Sequence, residues 1–146
     1  MKIWIPFAVA IFFCTASFGQ NKDKIESFKI AFITQKLNLS SDEAQKFWPI
    51  FNEMQAAIKQ SRQSSKTDKP VNDMSEDEAA RFIKESLDAE QKEYQAKQNA
   101  YNKFKGVISS KKIAMLRQVE REFKEEMLKK MQEKREMKRN RMMNDN

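Results

Sequence analysis

Apolar residues return at helical intervals through most of this chain. Between 22 and 37, Ile25, Phe28, Phe32 and Leu37 fall near one face, with Ala31 and Ile33 beside them, and predict a first amphipathic helix. Asn38 and Leu39 interrupt it. Ser40-Ser41-Asp42-Glu43 then has the form of a capping box, in which the Ser40 hydroxyl takes the Glu43 amide and Glu43 reaches back to the Ser40 amide. Leu39, just before the cap, is placed to staple onto the first turn. A second helix is predicted over about 41–62, with Ala44, Phe47, Trp48, Phe51, Met54, Gln55 and Ile58 on its buried side. Trp48 lies one position off the stripe and is the better candidate for an interface or client contact. Pro49 removes an amide and crowds the Gln45 carbonyl, so a kink is expected there, with Phe47, Trp48 and Phe51 around the bend.

The polar run 63–75 contains Pro70, Asn72 and Asp73 and reads as a loop. Met74, Ser75 and Glu78 repeat the staple and capping box, opening a third helix over about 76–105, roughly 45 Å long. Its apolar positions are Ala79, Phe82, Ile83, Leu87, Tyr94, Tyr101 and Phe104, and its middle is thin in hydrophobics. Such a helix is expected to lie across an open surface. Gly106 marks a break. Ile108-Ser109-Ser110 opens a fourth helix with Ile113, Leu116, Val119 or Glu120, Phe123, Met127 and Met131 on one side. After Leu128 the apolar pattern fades, and fraying into a partly disordered end is expected over 129–146. The segments "LNLSSDEAQKFWPIFNEM" and "GVISSKKIAMLRQVEREF" share a layout of apolar residue, Ser-Ser and amphipathic helix, which suggests two similar helical units.

The first 19 residues read differently. Lys2 precedes an almost wholly apolar run from Ile3 to Phe13, and Ser17 and Gly19 stand at the −3 and −1 positions for cleavage before Gln20. This predicts a signal peptide over 1–19 and an exported mature chain. The apolar run is short of the roughly 20 residues of a membrane span. Phe12 and Phe13 stand before Cys14 where a lipoprotein signal needs small residues. Cleavage would remove the single cysteine, leaving neither a disulfide nor a thiol nucleophile.

Composition agrees with an all-α chain: two glycines, three prolines and 34% charged residues. There is no histidine, hence no imidazole base, no Ser-His pair and no histidine metal site. Gly19 and Gly106 stand alone, so no glycine-rich loop cradles a phosphate. Carboxylates such as Glu85, Glu90 and Glu93 sit among lysines at helical spacing and read as solvated, ion-paired faces. No enzymatic activity, cofactor or metal is expected. The formal charge of +7 is concentrated at the end. There Lys129, Lys130, Lys134, Arg135, Lys138, Arg139 and Arg141 face only two glutamates. An exported chain rarely meets nucleic acid. Acidic stretches of unfolded protein, or weak contact with an anionic membrane surface, suit the tail better. Met127, Met131, Met137, Met142 and Met143 add soft, adaptable apolar surface. Dimerisation would bury stripes that one short chain leaves open.

Leu39-Ser40-Ser41-Asp42-Glu43 resembles the LTxxQ pattern of Spy/CpxP-type periplasmic proteins, with Ser for Thr and Glu for Gln. The longer segment "ITQKLNLSSDEAQKFWPIFNEM" is similar to a subgroup labelled sensors of ECF-type sigma factors, with its L-x-L-[ST]-x-x-E-A-x-x-F-W-P-x-[FY]-N core. The second motif, Ile108-Ser109-Ser110-Lys111-Lys112, keeps the apolar residue and a serine but ends in lysine. The resemblance implies a kinked long-helix hairpin of about four helices over 20–128, paired into a curved antiparallel homodimer. The bend and its dimer or client surface would fall on Phe47, Trp48, Pro49, Phe51, Met54 and Ile58. It also implies a periplasmic ATP-independent chaperone or envelope-stress adaptor binding unfolded or envelope proteins. The alternative is a dedicated regulator that binds a membrane signalling protein in an extracytoplasmic-function sigma-factor pathway. Metal-sensing relatives act through histidines, which this chain lacks.

Overall fold

The computed structural model describes the backbone of residues 17–144 and the side chains of 23–143. The described chain is all-helical: α1 (Ser17–Lys36), α2 (Ser41–Ser64), α3 (Glu76–Phe104) and α4 (Ser110–Asn144), with one 3-10 turn, Val71–Asp73, between α2 and α3. No described helix is long and apolar enough to cross a membrane. Most of the expected signal peptide lies outside the described residues; its last three residues, Ser17 to Gly19, begin α1.

The α1–α2 corner follows from four consecutive residues. Asn38 takes a positive φ of 46°, which asparagine tolerates better than most residues. This lets the Leu39 amide donate to the Thr34 carbonyl and the Asn38 amide to the Gln35 carbonyl, both at 3.0 Å, closing the end of α1 as a Schellman motif. Ser40 then caps α2. Its hydroxyl accepts the Glu43 amide at 3.2 Å, and its own amide donates to Glu43 Oε2 at 2.8 Å. Leu39 therefore ends one helix and precedes the next, and it is buried. The expected box at Ser75 and Glu78 is formed in the same way at the start of α3.

The corner is tied to α4. Ser109 caps α4 by accepting the Lys112 amide, but lysine at this position cannot return a bond to the cap. The Lys112 ammonium instead crosses to the first motif and donates to the Asn38 carbonyl and to Glu43 Oε2, each at 2.7 Å. Lys112 thus buttresses the capping box of α2 from the start of α4.

Two antiparallel helix pairs extend from this corner. Arg62 meets Glu93 and Lys103 meets Glu53 along α2 and α3. Phe28 and Phe32 meet Phe123, and Lys36 meets Glu122, along α1 and α4. The pairs join around Phe47, Phe51, Phe104, Ile33, Leu37 and Leu116, the largest fully buried side chains. Phe104 stacks on Phe47 with ring centres 4.9 Å apart. Gln55 donating to Glu120 is the most distal α2 side-chain hydrogen bond to the other pair among the described residues. Past it, the α2–α3 and α1–α4 pairs share no hydrogen bond or ion pair there.

Expectations change for the core residues, for Trp48 and for the end of α4. Phe47, Phe51, Met54 and Ile58 are core residues of the single chain, so they offer no client or dimer surface. Trp48 is half-buried rather than free for a partner. Its ring meets Phe47 and Phe51 edge-on, and its indole N–H donates to Thr34 Oγ1 at 3.2 Å, cementing α2 to α1. Pro49 lies on the exposed side of an unbroken α2, where water can reach the Gln45 carbonyl that its ring leaves without a donor. The expected fraying after Leu128 is replaced by helix as far as Asn144. The segment has no glycine or proline and is rich in Lys, Arg, Glu, Gln and Met, so propensity carries the helix where apolar packing stops.

Phe104→Ala is expected to lower unfolding stability by about 3–5 kcal/mol, because a stacked, sealed ring leaves a cavity. Ser40→Ala is expected to cost about 1 kcal/mol, the value of one cap. Urea unfolding followed at the helix band separates the two; equal losses would contradict the core described above.

Candidate functional site

Helix α3 carries two stripes. Ala89, Ala100 and Phe104 are buried, and Phe82 and Ala96 half-buried, on the side that meets α2. Small alanines there allow close approach of the two backbones. A second stripe, Ile83, Leu87 and Tyr94, steps by four and seven residues and remains 58%, 59% and 65% exposed. Tyr101, seven residues further, prolongs it into a cleft of about 680 Å³ between α3 and α4. Tyr94, Lys97, Gln98, Tyr101, Asn102 and Lys105 form one wall of this cleft, and Ile113, Arg117 and Glu120 form the other.

The charges in the cleft are unequally committed. Glu93, at its margin, accepts both arms of the Arg62 guanidinium at 2.8 Å and also the Lys97 ammonium. Arg62, and then Lys97, hold the Glu93 carboxyl down to about 2. Lys105 reaches only the Asn102 amide oxygen, at 3.3 Å, and Arg117 has no ion-pair partner among the described residues. Glu120 lies at the inner end, half-buried, and accepts a hydrogen bond from Gln55 at 2.9 Å. Burial pushes its carboxyl up, against the pull of Lys97, Gln55 and Lys29. At the corner, the Lys112 ammonium and the Ser40 amide hold Glu43 below its ordinary value.

The arrangement suits binding. It offers exposed aliphatic and phenolic surface beside available cations, with one constrained carboxyl. Among the described residues, no group of three or more His, Cys, Asp or Glu could hold a metal ion.

The residues singled out in the sequence fall into three places. Leu39, Ser40 and Glu43 meet at the corner. Phe47, Phe51, Met54 and Ile58 fill the core, with Trp48 at its edge and Pro49 outside it. Lys129, Lys134, Arg135, Lys138, Arg139 and Arg141 are exposed along the end of α4. Lys130 differs from them, lying 5.0 Å over the Phe28 ring and pairing with Glu126. None of these lines the cleft. Tyr94 and Tyr101 did stand in the sequence pattern, in phase with Ile83 and Leu87, and that phase was the available signal. Lys97, Lys105 and Arg117 carried none beyond their charge. Comparison with protein-family models, curated proteins and solved structures finds no match to this chain.

The two carboxyls define a pH test with opposite signs. Glu93 is more acidic folded than unfolded, so its contribution is complete above about 4.5 and is lost as pH falls toward 2. Glu120 is less acidic folded, so ionising it weakens the fold increasingly as pH rises above 4.5, and there is no penalty when both states are protonated. Glu93→Gln should therefore destabilise at neutral pH, with the deficit shrinking in acid. Glu120→Gln should stabilise at neutral pH and match the parent in acid. Urea midpoints across the range check both signs.

Proposed function

We propose that this chain is an ATP-independent binder of non-native protein segments, a chaperone or envelope-stress adaptor acting in the periplasm after loss of residues 1–19. One observation carries the reading. The exposed stripe Ile83, Leu87 and Tyr94 runs into a cleft whose Lys105 and Arg117 have no ion-pair partner among the described residues. Cations attract acidic, unfolded chain over a distance, and the stripe then holds its apolar side chains. Capture uses apolar contact and charge alone, so no nucleotide is needed. The resemblance of Ile33 to Met54 to Spy/CpxP-type proteins supports the same reading. Its kinked hairpin and curved antiparallel homodimer belong to the proposal too. The core position of Phe47, Phe51, Met54 and Ile58 moves the client surface from the aromatic motif to α3 and the cleft.

The test follows light scattering of a chemically denatured client on dilution, with residues 20–146 at near-equimolar ratio and no ATP. Suppression is expected at low salt and should weaken at high salt. Ile83→Ser with Leu87→Ser, both on exposed positions, should raise the ratio needed for half-suppression about fivefold or more, as loss of roughly 1 kcal/mol of contact requires. Salt-independent suppression, or an unchanged double variant, contradicts the proposed surface. No suppression at any ratio, with one saturable membrane partner recovered instead, transfers the reading to the dedicated regulator of a sigma-factor pathway.

A further inference from the structure

The end of α4 carries a surface that client binding does not use. Phe28 of α1 touches Phe123 and lies under Lys130, which fixes the side of α4 that faces α1. Projected at 100° per residue, Leu128, Met131, Arg135, Lys138, Arg139, Met142 and Met143 share an arc of about 140° turned away from that side. From Leu128 to Met143 no acidic residue falls within the arc; Glu136 borders it, Glu133 lies well outside it, and Glu125, one turn before Leu128, projects onto its edge. Leu128, Met131, Met142 and Met143 are 48–63% exposed. Lys129 and Lys134 flank the arc. Neither these two nor Arg135, Lys138 and Arg139 have a carboxylate partner among the described residues.

We propose that this face docks the protein onto an anionic phospholipid bilayer. A helix lying in the interface needs apolar side chains that enter the headgroup boundary and cations at their level that meet phosphate, with acids kept off that side. The arc has each of these. The methionines are unbranched and polarizable and adapt to an irregular acyl surface. The long Lys and Arg stems lie along the same surface while their heads stay in water. Single-stranded nucleic acid is the weaker fit, since α4 has no aromatic residue after Phe123 on which bases could stack. A duplex would engage the cations but gives four exposed apolar side chains no role.

The experiment uses residues 20–146, because the apolar run Ile3–Phe13 would itself enter neutral lipid, and sedimented vesicles of phosphatidylcholine, with and without phosphatidylglycerol. Binding is expected to the anionic vesicles only and to fall at least about tenfold when salt is raised toward 0.5 M. Arg135→Gln with Lys138→Gln and Arg139→Gln should weaken it about a hundredfold. Leu128→Ser with Met131→Ser should weaken it about tenfold without changing its salt slope. Lys59→Gln with Lys66→Gln, on α2 and just past its end, should leave it unchanged. The helix band checks each variant's fold, and client suppression without vesicles is read separately, so the two proposals fail independently. Equal binding to neutral vesicles, no binding at low salt, or full binding by the triple variant overturns the inference. So does release from anionic vesicles by duplex DNA or polyglutamate at charge concentrations well below that of the lipid, which would make the face a general polyanion site.

Discussion

The Lys112 ammonium hydrogen-bonds the start of α4 to the corner between α1 and α2. It donates to the Asn38 carbonyl and to Glu43, whose other role is to complete the cap of α2. Asn38 can offer its carbonyl there because its positive φ has already turned the chain at the end of α1. The start of α4 is thereby set against the α1–α2 corner, 69 residues away in sequence. Ile108 and Leu116 of the α4 approach can then enter the same core as Leu37, Leu39 and Phe47. A charge-assisted hydrogen bond of this kind is directional, whereas the apolar contacts beneath it are tolerant of small shifts. Direction at the corner and the core beneath it together fix how α4 meets α1 and α2.

Where the two pairs part, the second stripe of α3 stays exposed. A fully closed four-helix bundle would bury the second stripe of α3 against α4, and Ile83, Leu87 and Tyr94 would be ordinary core. Here the cross-pair hydrogen bonds of α2 stop at Gln55 and Glu120, and the stripe stays in water. Its side chains are therefore apolar surface held at a cost to solvation, and the cations of Lys105 and Arg117 keep it soluble without covering it. Glu120 sits where the pairs part. Its burial there is a small destabilisation, offset in part by Gln55 and by nearby lysines.

Local signals in the sequence were legible because local physics decides them. Both capping boxes, at Ser40 and Ser75, formed as spacing predicted, and the helix order was readable from apolar periodicity. Long-range placement was not. Nothing in "ISSKK" announces that Lys112 would serve the cap of another helix. Trp48 lay off the predicted stripe and read as a free contact, but α1 covers that side of α2 and Thr34 takes its N–H. The cleft was illegible because it is a gap between helices, set by where packing ends. The helical end of α4 was illegible for a related reason. Its apolar pattern fades, yet the absence of breakers and a high propensity suffice for a helix.

The charged residues divide by whether they are matched, and the division follows the architecture. Where helices meet, cations are spent on neighbours: Arg62 and Lys97 on Glu93, Lys103 on Glu53, Lys36 on Glu122, Lys130 on Glu126 and the Phe28 ring. Where packing ends, they stand without carboxylates, at Arg117 in the cleft and along α4 past Lys130. Unmatched like charges on one helix repel, and a segment selected for stability alone would intersperse acids to relieve that. The last turns of α4 instead place their two glutamates off the face that carries Leu128 and Met131. Segregation of this kind weakens the isolated helix and strengthens attraction to an anionic surface, as the proposed docking requires.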